Sequence, residues 1–74
     1  MPEVQFEIIE TLGILSASPS GWTKELKLIS WNNGEPKYDV RQWSPDHSKM
    51  GKGISLSREE AQELVNLLGK WLPK

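Results

Sequence analysis

Cysteine is absent from the 74 residues. Disulfides and thiolate metal sites are therefore excluded as staples. Histidine occurs once, at His47, which excludes a His-rich metal centre, so neither metal nor other cofactor is expected. No apolar run approaches the roughly 20 residues of a membrane span. The N-terminus, MPEVQFEII, has no basic start followed by a long apolar core and does not read as a signal peptide. A soluble, cytoplasmic chain is expected. Catalytic motifs are missing as well. There is no Gly-x-Ser-x-Gly elbow, and Gly51-Lys52-Gly53 lacks the spacing of a phosphate loop. His47 beside Asp46 has no nucleophile to serve and reads as a loop residue. Glu59, Glu60 and Glu63 suit helix capping and solubility rather than paired-carboxylate chemistry. No catalytic residue is assigned, and the chain is not expected to be an enzyme.

This length supports one domain, 1–74, whose core supplies only about 3–5 kcal/mol of net stability. With disulfides and metals gone, self-association is the remaining common remedy, so a homodimer is expected. The formal net charge is −1, mildly unfavourable for a nucleic-acid binder. The distribution matters more. Between Trp22 and Lys52, the six cations Lys24, Lys27, Lys37, Arg41, Lys49 and Lys52 outnumber the four anions Glu25, Glu35, Asp39 and Asp46. Outside that span, the three cations Arg58, Lys70 and Lys74 face six glutamates. A mildly basic middle lies between acidic ends.

The pattern reads as four strands and then one helix, without repeats or low-complexity segments. Residues 4–15 form a first strand with Phe6, Ile8, Leu12 and Ile14 on one face and Glu7, Thr11 and Gly13 on the other; Gly13 marks a bend or bulge. Ser16 to Gly21 is a loop by composition. Residues 22–31 form a second strand, with Leu26 and Leu28 on one face and Lys27, Ile29 and Trp31 on the other. Asn32 to Pro36 is a turn in which Asn-Gly supplies positive φ. Lys37 to Trp43 is a third strand with Tyr38 and Val40 towards the core. Ser44 to Gly53 is a charged, Pro- and Gly-containing loop, and Ile54 to Leu56 a short fourth strand. Ser57-Arg58-Glu59-Glu60 is a capping box. Ala61, Leu64, Val65, Leu68 and Leu72 then recur at helical spacing, with Leu67 and Trp71 alongside. One helix on one sheet leaves part of that stripe wet, so Leu64, Leu68, Trp71 and Leu72 are the expected dimer seam.

Four tryptophans in this length can simply fill a core, and Trp71 fits that or the seam. Trp43 shares strand parity with Lys37, Asp39 and Arg41, and Trp31 shares it with Lys27. That placement predicts exposed rings on which bases stack while neighbouring cations hold phosphates. Trp22, two residues before Lys24, is a third candidate. Arg41 can fork two phosphate oxygens and stack beside Trp43. Lys49 and Lys52 sit in a loop able to close over a strand of nucleic acid.

Tyr38-Asp39-Val40-Arg41 with Trp43, a Pro-Asp loop, and Lys52-Gly53-Ile54-Ser55-Leu56 leading into a capped helix resemble the transcriptional coactivator positive cofactor four family, closest to its bacterial YdbC-like branch. The resemblance implies an α+β fold: a curved four-stranded antiparallel sheet followed by one C-terminal helix (β-β-β-β-α), dimerising through the helix. It implies binding of single-stranded DNA, or of unwound duplex, along the β-ribbons with little sequence preference. Arg41 and Trp43 match the family's Arg and aromatic on the third strand, and Lys52 matches the Lys of the Lys-Gly-Ile-Ser-Leu run. Trp31 lies near the aromatic ending the second strand; Lys37 falls within the ribbon without a counterpart. The Ser- and Lys-rich N-terminal tail of the eukaryotic coactivators has no equivalent in this sequence, leaving the DNA-binding core.

The expected function is thus a homodimeric, sequence-nonspecific single-stranded DNA-binding protein serving transcription, replication or repair. Its expected contacts are Trp22, Lys24, Trp31, Lys37, Arg41, Trp43, Lys49 and Lys52. Two alternatives are a single-stranded RNA-binding module and an adaptor whose Trp-rich sheet face docks a peptide.

Overall fold

The computed structural model of the chain describes residues 5–73. Four strands, β1 (Phe6–Ala17), β2 (Thr23–Trp31), β3 (Lys37–Trp43) and β4 (Met50–Leu56), precede one helix, α1 (Arg58–Trp71). The strands form a single antiparallel sheet in chain order, β1-β2-β3-β4. The β-β-β-β-α order expected from the sequence is the observed one.

Boundaries differ where composition misleads. β1 continues through Ser16 and Ala17, because those residues pair with Lys24 and Thr23. Its expected first residue, Val4, lies outside the described residues. β4 begins at Met50 rather than Ile54, since Met50 pairs with Trp43 and the Ser44 amide donates to the Lys49 carbonyl at 3.0 Å. The expected ten-residue loop is therefore a short connection. In the β2–β3 turn, Asn32 (φ 51°) and Asn33 (φ 61°) take the left-handed positions. Gly34 serves instead as close-approach residue: its amide donates to the Trp31 carbonyl at 2.8 Å, and a Cβ there would sit 2.9 Å from that oxygen.

β1 does not alternate with period two. Its register against β2 shifts between Ile8 and Glu10, between Thr11 and Gly13, and between Ile14 and Ser16. Each bulge inserts one unpaired residue and resets parity. Ile8, Thr11, Ile14 and Ala17 consequently pair with Ile29, Lys27, Glu25 and Thr23 and share their face. Leu12 and Leu15 project to the opposite side, where they line a cleft with the helix. The bulge anticipated at Gly13 is present, but grouping Leu12 with Phe6 and Ile8 is not, because strict alternation fails across each insertion.

Ser57 caps α1: its hydroxyl accepts from the Glu60 amide at 3.1 Å, and the Glu60 carboxylate accepts from the Ser57 amide at 2.9 Å. Those bonds hold the Glu60 carboxyl below its ordinary value. The helix leans over Tyr38, Val40 and Leu56 without closing onto them, leaving an apolar cleft of about 550 Å³ lined also by Leu26, Leu64 and Leu68. No helix residue is buried. Among the described residues no helix is long and apolar enough to cross a membrane.

Candidate nucleic-acid interface

The sheet face away from the helix carries Trp31, Lys37, Arg41 and Trp43, whereas Lys24 has the parity of Leu26 on the helix side; register decides the fate of each. Glu25 of β2 pairs with Arg41 of β3, and Lys27 pairs with Asp39. Along each strand the charges also alternate two residues apart, which places them on one face. The four groups form a checkerboard in which every neighbour is of opposite sign. Lys27 Nζ lies 2.8 Å from Glu25 Oε1. Arg41 donates through Nε to Asp39 Oδ1 at 2.7 Å and through Nη2 to Oδ2 at 2.9 Å, a fork-to-fork pair. Asp39 also accepts from the Ser55 hydroxyl at 2.8 Å. Lys27 donates to Thr11 at 2.9 Å, and Glu25 accepts from Thr23.

Aromatic rings roof this network. Lys27 Nζ lies 5.0 Å from the Trp43 ring centroid, and the Arg41 guanidinium lies 4.9 Å from that of Trp31; both are cation–π distances. Phe6 of β1 lies 5.5 Å from Trp31 and 6.2 Å from Trp43 of β3. Rings from β1 and β3 meet across β2, which requires the sheet to curl towards this face. His47, held at φ 61° in the β3–β4 connection, stacks on Trp43 at 6.0 Å and reaches Glu25 with Nε2 at 2.8 Å. Trp43 is consequently only 2% exposed, and Asp39 and Ile29 are fully buried.

Burial by itself would push the Glu25 carboxyl up. Hydrogen bonds from Lys27, Thr23 and His47, with the Lys27 charge, outweigh it and hold the group at about 2 against an ordinary 4.5. Glu25 is therefore an anion at any physiological pH, and Lys27 is neutralised where it lies.

This arrangement corrects two expectations. Trp43 is not an exposed stacking ring, and Trp31 is half-buried. The Arg41 fork is taken by Asp39, its side chain being 16% exposed, so it is not open to two phosphate oxygens. A signal for this was legible. Glu25-x-Lys27 and Asp39-x-Arg41 lie on consecutive strands with a turn between them, and antiparallel pairing sets opposite charges across from each other.

The cations left over lie elsewhere. Lys24, Lys37, Lys49 and Lys52 are exposed and make no ion pair among the described residues. Lys24 pairs with Gln42 of β3, and a Cβ at Gly51 of β4 would lie 3.5 Å from the Gln42 side chain. Lys24, Gln42 and the Gly51–Lys52 step thus form a row across one end of the sheet. Half-buried Trp22 and exposed Lys49 line an open cleft at that same end, with Ser44, Pro45, Asp46 and Ser48. Lys37 stands apart, pairing with Ile29 near the other end. On the helix side, Leu64, Leu68, Trp71 and Leu72 are all exposed, Trp71 by 75%; Leu64 and Leu68 line the apolar cleft, whereas Trp71 and Leu72 lie beyond it.

An uncharacterised protein of Treponema pallidum (strain Nichols) is 52% identical over 66 residues, covering 89% of this chain and 78% of the relative. Residues 18–67 match the family model described as transcriptional coactivator p15 (PC4). That span contains β2, β3, β4, the capping box and most of α1, so the match covers the charge network and its exposed rim together. The chain belongs to the transcriptional coactivator p15 (PC4) family.

Proposed function

We propose that the chain is a single-stranded DNA-binding protein of little sequence preference, acting as a homodimer in the manner of a transcription cofactor. Lys24 and Lys52 hold phosphates at one end of the sheet, Trp22 and Lys49 line the cleft that takes a base there, and Lys37 is a separate cation on the opposite face near the other end. Arg41, Trp31 and Trp43 lie on the opposite face and stiffen the sheet that presents these groups. Family membership supports the reading. The observation that carries it is the sorting of cations. Lys27 and Arg41 are neutralised inside the network, whereas the other four cations of the basic middle segment stay exposed without ion pairs among the described residues. Exposed, unpaired cations release counterions on meeting phosphates, which is the main source of sequence-independent affinity.

The apolar stripe of α1 and the open cleft beneath it support the homodimer. A second copy's helix offers matching Leu64, Leu68, Trp71 and Leu72, and closing the two stripes on each other removes that surface from water at about 25 cal/mol per Å². The test is a titration of fluorescent oligo-dT, matched RNA and duplex DNA at several salt concentrations, with solution mass measured in parallel. Tighter binding of oligo-dT than duplex is expected, with a log–log salt slope of about −0.7 per neutralised phosphate. Preference for the RNA oligomer moves the reading to single-stranded RNA. A flat salt response with no preference for single strands overturns it.

A further inference from the structure

We infer that the cleft between the β1–β2 turn and the β3–β4 connection is a nucleobase subsite that favours guanine, with Trp22 as stacking ring, Asp46 as acceptor and Lys49 as cation. This inference rests on the single-stranded DNA reading of the same end of the sheet.

Both walls of the cleft are built before any ligand arrives. In the β1–β2 turn, the Ser18 amide donates to the Trp22 carbonyl at 2.7 Å and the Gly21 amide to the Ser18 carbonyl at 3.0 Å. Gly21 takes φ 91°, and a Cβ there would stand 2.9 Å from Pro45 Cγ, so the turn rests directly on the opposite wall. In that wall, the Ser44 hydroxyl accepts from the Lys49 amide at 3.0 Å, and the Ser44 carbonyl accepts from the His47 amide at 2.9 Å. Asp46 Oδ1 accepts three bonds, from the Ser44 hydroxyl at 2.9 Å, the Ser48 amide at 3.0 Å and the Ser48 hydroxyl at 2.7 Å. The space between the walls is about 390 Å³ and open to solvent. Trp22 is half-buried at its edge, with Cζ3 lying 3.8 Å from where a Gly51 Cβ would be.

The polar groups set the preference. The three bonds to Oδ1 hold Asp46 down at about 2, so it remains a carboxylate. They leave Oδ2 with no partner among the described residues. An anion has no place in a phosphate track, but it is a strong acceptor for base N–H groups. Guanine presents two adjacent donors, N1–H and the N2 amino group, that can converge on the free Oδ2, with the O6 acceptor on the other side of N1 for Lys49, which lines the same cleft. Thymine presents one N–H flanked by two carbonyl oxygens, which the Asp46 charge repels. Stacking on Trp22 is available to every base and sets the plane rather than the choice.

The experiment measures binding of the full chain to oligo-dT, to the same oligomer carrying one central dG, and to one carrying deoxyinosine, which lacks the N2 amino group. The dG oligomer is expected to bind about tenfold tighter than oligo-dT, with deoxyinosine between them. Asp46→Asn abolishes the dG advantage without loss of oligo-dT affinity. Trp22→Ala, outside the Asp46 hydrogen-bond set, weakens binding of all three oligomers together, and unchanged affinity for all three removes Trp22 as the stacking ring and overturns the subsite. Equal affinity of the unmodified chain for the dG and dT oligomers overturns the subsite and leaves the DNA-binding reading standing. So does a parallel loss of affinity for both oligomers in Asp46→Asn, which marks a purely structural aspartate. Failure to bind any of the three removes the broader reading and the subsite with it.

Discussion

The two faces of the sheet invert the usual division of labour. The face bearing Glu25, Lys27, Asp39 and Arg41 is closed: its charges are paired and roofed by Phe6, Trp31, Trp43 and His47. The face bearing Leu26, Tyr38, Val40 and Leu56 is open, with a cleft under a helix whose own leucines are exposed. Burial of charge is tolerated only where each charge finds a partner and satisfied hydrogen bonds, and here register supplies both. Burial of apolar surface needs a covering layer, and one 14-residue helix is too narrow for it. The closed face is a charge-paired polar core in which the buried indole N–H groups of Trp31 and Trp43 lack a partner among the described residues, whereas the open face is an apolar surface without a full cover.

If the closed face is a core, its members respond through stability before affinity. Asp39→Ala leaves Arg41 partly buried without its partner and is expected to cost about 3–5 kcal/mol, comparable with the whole stability of a domain this size, so urea denaturation of the variant shows little or no folded baseline. Trp43→Ala removes the roof over Lys27 and opens a cavity, with an expected loss of about 3–5 kcal/mol in the same assay. A folded Trp43→Ala variant of unchanged stability but weakened oligo-dT binding reverses the assignment, making Trp43 a contact residue.

Acid probes the same face more gently. Glu25 has its folded value at about 2, below the ordinary 4.5. Its contribution is present above about pH 4.5 and is lost as pH falls towards 2; Asp46 and Glu60, also depressed, act in the same direction. Thermal melts at constant ionic strength are expected to fall across that window. In Glu25→Gln the decline is shallower.

On the open face the expected response is assembly. Leu68→Glu places a charge on the exposed stripe, at little cost to an isolated chain, and is expected to yield a monomeric mass where the unmodified chain gives a dimer. The smallest effect belongs to the rim. Lys52→Gln is expected to leave the melting temperature unchanged, weaken oligo-dT binding by about 1 kcal/mol or less at moderate salt, and make the salt slope shallower by about 0.7. A drop in melting temperature there means that Lys52 belongs to the core network after all.

Much of this architecture was legible. The element order, the Asn-rich turn, the bulge near Gly13 and the capping box at Ser57 each follow from local chemistry that acts within a few residues. Lys24, Lys49 and Lys52 were found as candidate contacts, and the structure leaves them exposed. Arg41 and Trp43 were misjudged because same-strand parity shows which residues share a face, not whether that face is wet. The three bulges of β1 hid the true faces of that strand, since each insertion is decided by pairing with β2 rather than by any residue of β1 alone.

Strand parity, turn residues and capping are short-range, so the amino-acid order suffices to set them. Register, curl and the pairing of Asp39 with Arg41 arise between distant segments. They depend on how β1 bulges against β2 and on which side the sheet bends. Only the folded chain settles those, and they turn the strand that reads as exposed into a buried one and leave the reachable charges of the basic segment at its ends.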